Sequence, residues 1–301
     1  MRHDDYSSIG FHQRECEENN VTYFLKKHIG LFPDRVALKW VPKDVICSCD
    51  RTEELYHESI TYGELSNKVS CMAKGLREIG VNKGDRIIIY LPISLEMYLA
   101  IFAVQYIGAI PVFLDPWLTK EHIQICINTV KPKGVISCDG AEILKFNHIP
   151  SKIKMGKSSR NSSSDLIELT ETKGVAEIEP VGPEATALIT FTTGSSGAPK
   201  GANRTHQLLV RQHRALDKCI PYYEEDIDLP LFPIFALNSL AAGVNTVLPA
   251  IDLAIPSEKD AALLANQILF LKVTCSTLSP SIFVRLAEYG CENHLSLEVK
   301  S

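Results

Sequence analysis

The stretch Thr186-Ala187-Leu188-Ile189-Thr190-Phe191-Thr192-Thr193-Gly194-Ser195-Ser196-Gly197-Ala198-Pro199-Lys200-Gly201 decides the fold. Its first half is an apolar run of strand length, feeding directly into a loop of glycines and hydroxyls. Gly194 and Gly197 let the backbone turn its N–H groups toward a phosphate without Cβ clashes. The hydroxyls of Thr192, Thr193, Ser195 and Ser196 add donors that can follow phosphate oxygens as charge moves. Pro199 stiffens the exit, and Lys200 places a compact positive charge where a leaving pyrophosphate needs it. A Walker A loop requires G-x-x-x-x-G-K-[ST]. Here Ala198-Pro199 separates Gly197 from Lys200, and Gly201 follows the lysine. The dinucleotide fingerprint G-x-G-x-x-G is absent. A plain Gly/Ser-rich hairpin turn is the simpler reading of five such residues. The whole run to Gly201, at the end of a buried strand, favours phosphate binding.

Strands and helices alternate on both sides of this loop. Thr61 and Glu64 stand in capping-box spacing, with Ile60 and Leu65 placed as a hydrophobic staple. Leu65, Val69, Met72, Ala73, Leu76 and Ile79 then recur at helical spacing up to a stop at Gly80. Arg86–Leu91 reads as a strand buried on both faces. Ser94–Tyr106 reads as a helix apolar nearly all round, ending at Gly108. Ala109–Leu114 and Gly134–Cys138 are expected strands, with a helix opened by Thr119 between them. This alternation implies βαβ units, hence an α/β fold with a parallel sheet layered between helices. The stretch 150–180 is weakly patterned. Beyond it follow a strand at Thr186–Thr192, a helix at His206–Lys218 and short strands at Asp228–Phe232 and Asn245–Leu248. A helix capped by Ser257 and Asp260 then runs to Leu271, followed by a strand at Val273–Thr277. A last helix, opened by Ser279-Pro280, is expected to stop at Gly290. The Ser-rich piece Ser158–Ser164 reads as a surface loop. It is either a junction between two α/β subdomains, at 20–150 and 165–301, or an insertion.

Composition narrows the function classes. A chain of 301 residues, 45% hydrophobic, can bury a sizeable core, and a net charge of −5 gives no basic field for nucleic acid. Lys152, Lys154, Lys157 and Arg160 are interleaved with Ser and Gly rather than aromatics, so they read as a solvated loop. The nine cysteines are odd in number and scattered. Cys47 and Cys49 form a C-x-C without the companions of a zinc site, which leaves no metal site in the chain and points to reduced thiols in a cytoplasmic protein. Met1–Gly10 lacks the apolar segment of a secretory signal. The most apolar stretch, Leu95–Val104, is too short to span a bilayer.

The segment Phe191–Gly201 resembles the signature loop of the AMP-forming acyl-activating superfamily, which includes acyl-CoA synthetases, luciferases and peptide-synthetase adenylation domains. That pattern reads roughly [YF]-T-S-G-[ST]-T-G-x-P-K-G. Thr193 and Ser196 depart from it but keep the hydroxyls. The resemblance extends along nearly the whole chain: Ile60–Leu65 is similar to a "TY-x-EL" helix start, Gly80–Arg86 to a "G-v-x-x-GD-r" strand entry, and Gly108–Pro116 to "GA-x-x-v-x-LDP". Thr205-His206 matches the "[ST]H" that closes the loop region. Asp228–Leu237 looks most like fatty-acid-type ligases related to olefin β-lactone synthetases. Many relatives carry a histidine at Ala236 or a near neighbour.

Such enzymes join a carboxylate to the α-phosphate of ATP, release pyrophosphate and pass the acyl group to CoA or another nucleophile. The resemblance implies ATP and Mg2+ as cofactors, with CoA as one acceptor and a small-molecule carboxylate as substrate. It places Thr192, Thr193, Gly194, Ser195, Ser196, Gly197 and Lys200 around the β- and γ-phosphates, with Lys200 as the catalytic charge. Phe232, Phe235, Leu237 and Leu240 are expected either to line an acyl tunnel or to pack as core. His294–Ser301 resembles the start of a strand leading to the family's "GGAP" loop. That loop, the magnesium-binding glutamate, the ribose-binding aspartate and the small C-terminal domain with its catalytic lysine have no counterpart here. Two expectations follow. One is the N-terminal part of a carboxylate–AMP ligase, incomplete or completed by a C-terminal polypeptide. The other is a non-catalytic remnant that binds nucleotide phosphate.

Overall fold

The computed structural model describes residues 19–42, 56–115, 118–138, 149, 151–155, 164–193, 199–253 and 257–299. Helix α1 (Tyr23–Leu31) precedes β1 (Val36–Trp40) and β2 (Glu58–Thr61), then α2 (Tyr62–Glu78), β3 (Arg86–Tyr90), α3 (Leu95–Tyr106) and β4 (Ile110–Phe113). Helix α4 (Lys120–Val130), β5 (Gly134–Cys138), β6 (Ser151–Met155), β7 (Ser164–Asp165) and α5 (Leu166–Thr170) come next. The remainder runs β8 (Thr186–Thr193), β9 (Pro199–Thr205), α6 (His206–Cys219), β10 (Ile227–Pro230), α7 (Pro233–Ala242), β11 (Asn245–Val247), α8 (Asp260–Phe270), β12 (Cys275–Thr277) and α9 (Pro280–Glu292).

The strands form a seven-stranded sheet, in the order β7-β6-β5-β3-β4-β8-β9, and a five-stranded sheet, in the order β12-β10-β11-β1-β2. Every pairing is parallel except β8 with β9 and β1 with β2. Both sheets are therefore mixed, and the expected parallel pattern holds in their centres. Three apolar clusters set the layering. Ile88, Val112 and Val135 pack with Ile123 and Val130 of α4 on one face of the larger sheet. Ile87 and Ile89 point to the opposite face, into a cluster with α2 and α3 that also takes in Leu38, Ala236 and Leu240 from the side of the smaller sheet. The smaller sheet's far face packs Leu229 and Val247 on Leu264 and Ile268 of α8 and Leu286 of α9. The order is helix, sheet, helix, sheet, helix, with the largest core shared between the sheets.

Local chemistry explains the elements that were expected. Thr61 Oγ1 accepts from the Glu64 N–H at 3.2 Å while Glu64 Oε2 accepts from the Thr61 N–H at 2.9 Å, closing the capping box. Helix α3, caught between layers, buries residues around its whole circumference.

Several expectations need correction. The 150–180 stretch holds β6, β7 and α5, and the strand β6 contains Lys152 and Lys154, which were expected in a loop. The strand expected at Asp228–Phe232 ends at Pro230, so Phe232 is the N-cap of α7. The one expected from Val273 begins at Cys275, and the last helix passes Gly290 to end at Glu292. Residues 295–299 form no strand; Leu295, Leu297 and Val299 pack against the α8–α9 cluster instead. Cys47, Cys49 and residues 156–163 lie outside the described residues.

Candidate functional site

The glycine-rich run expected to bind phosphate falls in the connection of a hairpin. Thr193 stands opposite Pro199 and Thr192 opposite Lys200, so residues 194–198 join β8 to β9. Gly194, Ser195, Ser196 and Gly197 fall in that connection, outside the described residues. The period of two divides the hairpin into unlike faces. Phe191, only 3% exposed, packs with Val112 and Ile123. A Cβ on Gly201 would stand 3.3 Å from the Phe191 ring, so glycine here admits a close backbone-to-ring approach. Lys200 and Arg204 occupy the other face. Arg204 Nε donates to Thr190 Oγ1 at 3.4 Å, while Lys200 is exposed and forms no ion pair among the described residues.

Strands β3, β4 and β8 are mutually parallel, so the hairpin loop sits at their carboxyl edge, where open α/β sheets bind ligands. Asp115 lies two residues past β4 on that edge, and half-burial pushes its carboxyl above the usual range. Burial, with the Asp115 charge nearby, pushes the Cys126 thiol up to about 11, leaving it protonated.

A buried polar strap anchors the base of the hairpin. Asn20 Nδ2 donates to the carbonyls of Gln105 at 2.7 Å and Glu179 at 3.1 Å. Gln105 Nε2 donates to the Ala187 carbonyl at 2.9 Å, holding the start of β8. The Val21 N–H donates to His206 Nδ1 at 3.1 Å, holding the end of β9, and leaves the ring proton on Nε2. Burial lowers His206 to about 4, so its ring is neutral at ordinary pH. Sequence reasoning quoted His206 only as part of a motif and missed Asn20 and Gln105, since their partners lie 82 or more residues away.

A second feature lies at the carboxyl edge of the smaller sheet. A cavity of about 210 Å³ is lined by Leu231, Phe232, Ile251, Leu253 and Ile282, with Asp252, Asp260, Ser279, Ser281 and Arg285 also on its wall, all from the segments that follow β10, β11 and β12. Of the four residues expected around an acyl chain, only Phe232 borders it. Phe235 and Leu237 are half-buried on α7, and Leu240, with no exposure, sits in the core shared by the two sheets.

An open α/β fold with a glycine-rich hairpin connection at a carboxyl edge places the chain among proteins that bind ligands at such an edge. The sequence model of the family described as AMP-binding enzyme matches residues 25–300, and the chain belongs to that family. It is 29% identical over 242 residues to olefin beta-lactone synthetase of Stenotrophomonas maltophilia, across 78% of this chain and 44% of that protein. The chain thus spans less than half the length of that relative. The fold is shared with a Brucella canis acyl-CoA synthetase, at a TM-score of 0.75 and 19% identity over 97% of this chain and 55% of the other. It is shared also with o-succinylbenzoate CoA synthetase of Bacillus subtilis in complex with ATP and magnesium ion, at a TM-score of 0.68 and 21% identity over 88% and 65%.

No group of three or more His, Cys, Asp or Glu side chains among the described residues could hold a metal ion. No helix among them is long and apolar enough to cross a membrane.

Proposed function

We propose that this chain forms the phosphate-gripping side of an ATP-dependent carboxylate ligase acting on a fatty-acid-type substrate. The observation that carries it is the pairing of Thr192 with Lys200 across the mouth of a carboxyl-edge hairpin. In the reaction a carboxylate oxygen attacks the α-phosphorus of ATP and the bond to the β-phosphate oxygen breaks, giving acyl-AMP and pyrophosphate. The acyl group then passes to CoA or another nucleophile. Thr192, Thr193, Gly194, Ser195, Ser196 and Gly197 hold the β- and γ-phosphates, and Lys200 stabilises the negative charge that builds on the leaving group. The apolar cavity beside Phe232 takes the hydrocarbon part of the acid. No group of three or more metal-ligating side chains is found among the described residues, and no step is assigned to magnesium. No disulfide joins the six described cysteines.

ATP–pyrophosphate exchange with a panel of fatty acids tests the reading. Acid-dependent exchange by the whole protein that contains this chain is the expected result, and its absence with every acid would remove the ligase assignment. The length covered relative to olefin beta-lactone synthetase favours a narrower second reading for the 301 residues alone: phosphate binding without turnover. Robust exchange by that chain would overturn it.

A further inference from the structure

Asp228 of β10 is a carboxylate with 1% exposure and no ion pair among the described residues. Its contacts are to neutral donors. Oδ2 accepts from the Tyr222 hydroxyl at 2.7 Å and from the Ser239 hydroxyl at 2.5 Å, and the Cys275 thiol is a third side-chain partner. Tyr222 and Ser239 also stand 3.2 Å apart, which closes a triangle of oxygens. Burial raises Tyr222, so its phenol stays protonated and can donate. An acid buried without a cation is costly, and an aliphatic residue would suit this strand position better on burial alone.

The donors come from three different segments, and two of them, with β10 itself, lead to the cavity wall. Asp228 itself precedes Leu231 and Phe232 by three and four residues. Ser239 is on α7, whose N-cap is Phe232. Cys275 opens β12, which leads into the Ser279–Arg285 side of the cavity. Tyr222 fixes the incoming connection from α6. One carboxylate therefore cross-links β10, α7 and β12 immediately behind the segments that border the cavity.

We propose that Asp228 is a positioning residue that sets the width of the apolar cavity through Ser239 and α7, and so selects which carboxylates the protein accepts. This rests on the reading that the cavity takes the hydrocarbon part of the acid. Hydrophobic pockets discriminate by methylene groups, so a small shift of α7 changes the preferred chain length.

The test measures binding of fluorescent fatty acids of short, medium and long chain, and of a fluorescent ATP analogue, to the full chain and its variants. Ser239→Ala and Asp228→Asn are expected to move the preferred chain length and to weaken the best wild-type fatty acid roughly tenfold, with ATP-analogue affinity within about twofold of wild type. Ser239→Thr, which keeps the hydroxyl, is expected to retain the wild-type profile. If Asp228→Asn does not fold, Ser239→Ala and Tyr222→Phe carry the comparison. An unchanged chain-length profile in the variants overturns the proposal, as does an equal loss of both affinities. Wild-type protein that binds the ATP analogue but no fatty acid removes the acyl reading of the cavity itself, and the proposal with it.

Discussion

The two carboxyl edges of this protein are held by opposite kinds of buried chemistry. Beneath the phosphate hairpin, the strap of Asn20, Gln105 and His206 uses amides, carbonyls and a neutral imidazole. Beneath the apolar cavity, the node is an acid with three neutral donors. The edge proposed to receive a polyanion is braced without charge, and the edge proposed to receive hydrocarbon is braced by a carboxyl group. A neutral brace leaves Lys200 as the charge that a phosphate meets, whereas a charged brace must be sealed away from an apolar ligand. Asp228, at 1% exposure, is sealed in this way.

The strongest way to break the contrast is to remove the charge at the hairpin. Lys200→Ala in the whole protein is expected to lower pyrophosphate exchange by roughly 10- to 1000-fold while leaving fatty-acid binding intact. An unchanged exchange rate would take Lys200 out of the mechanism.

Titration separates the two braces next, because their signs differ. His206 falls from 6.5 to about 4 on burial, and so does His28, whose Nε2 donates to the Ala241 carbonyl and whose Nδ1 has no hydrogen-bond partner among the described residues. A lowered histidine contributes stability that is present above pH 6.5 and is lost as pH falls toward about 4. At about 1.4 kcal/mol per unit, each accounts for up to about 3 kcal/mol. Asp228 is raised by burial, so its stabilisation is present at low pH and is lost as pH rises through its folded value. Chemical denaturation across this range is expected to show stability rising with pH between about 4 and 6.5. His206→Gln should flatten that rise and Asp228→Asn steepen it. A wild-type profile flat over this window would contradict the histidine assignment.

Asn20→Ala takes the side-chain donor from the Glu179 carbonyl, while the Gln105 carbonyl keeps the Gly108 N–H, and is expected to cost about 2 kcal/mol. Amide exchange should show it as faster opening of β8 and β9 than of β10. Uniform loosening of both sheets would mean the strap is not specific to the hairpin. The smallest expected effect is Thr61→Ala, at about 1 kcal/mol for the lost cap. Thr61 belongs to neither brace, so its thermal shift should leave both binding affinities alone.

Legibility in the sequence followed the range of the interactions. The start of α2 could be read because Thr61 and Glu64 are three residues apart, and α3 because its apolar residues fill every helical position. Strand β9 could not. Pro199-Lys200-Gly201-Ala202-Asn203-Arg204-Thr205 has no β-branched run, and its extended state comes from pairing with β8. Strands β1, β2, β6 and β7 were missed too: each is at most five residues long, too short for its alternation to stand out. The glycine-rich run was legible as chemistry and not as shape: that β8 and β9 pair across it was not expected. Phe232 borders the cavity, but Leu237 and Leu240 answer to the sheet that α7 packs on, which periodicity cannot assign. Asp228 appeared only as part of a strand, because its donors Ser239 and Cys275 lie 11 and 47 residues away.

The pairing of β1 with β11 has a further consequence. Leu38 stands opposite Thr246, so β1 finds its parallel neighbour only after about two hundred more residues have been added. At typical rates of synthesis that wait is on the order of 10–40 s. The larger sheet, whose strands follow one another more closely, can close meanwhile. The smaller sheet is then finished last, by the strands that also build the cavity. A nascent chain stalled before β11 would present β1 and β2 as an orphan pair open to wrong partners, which makes the cavity-bearing sheet, rather than the sheet with the glycine-rich hairpin, the more exposed to errors of assembly.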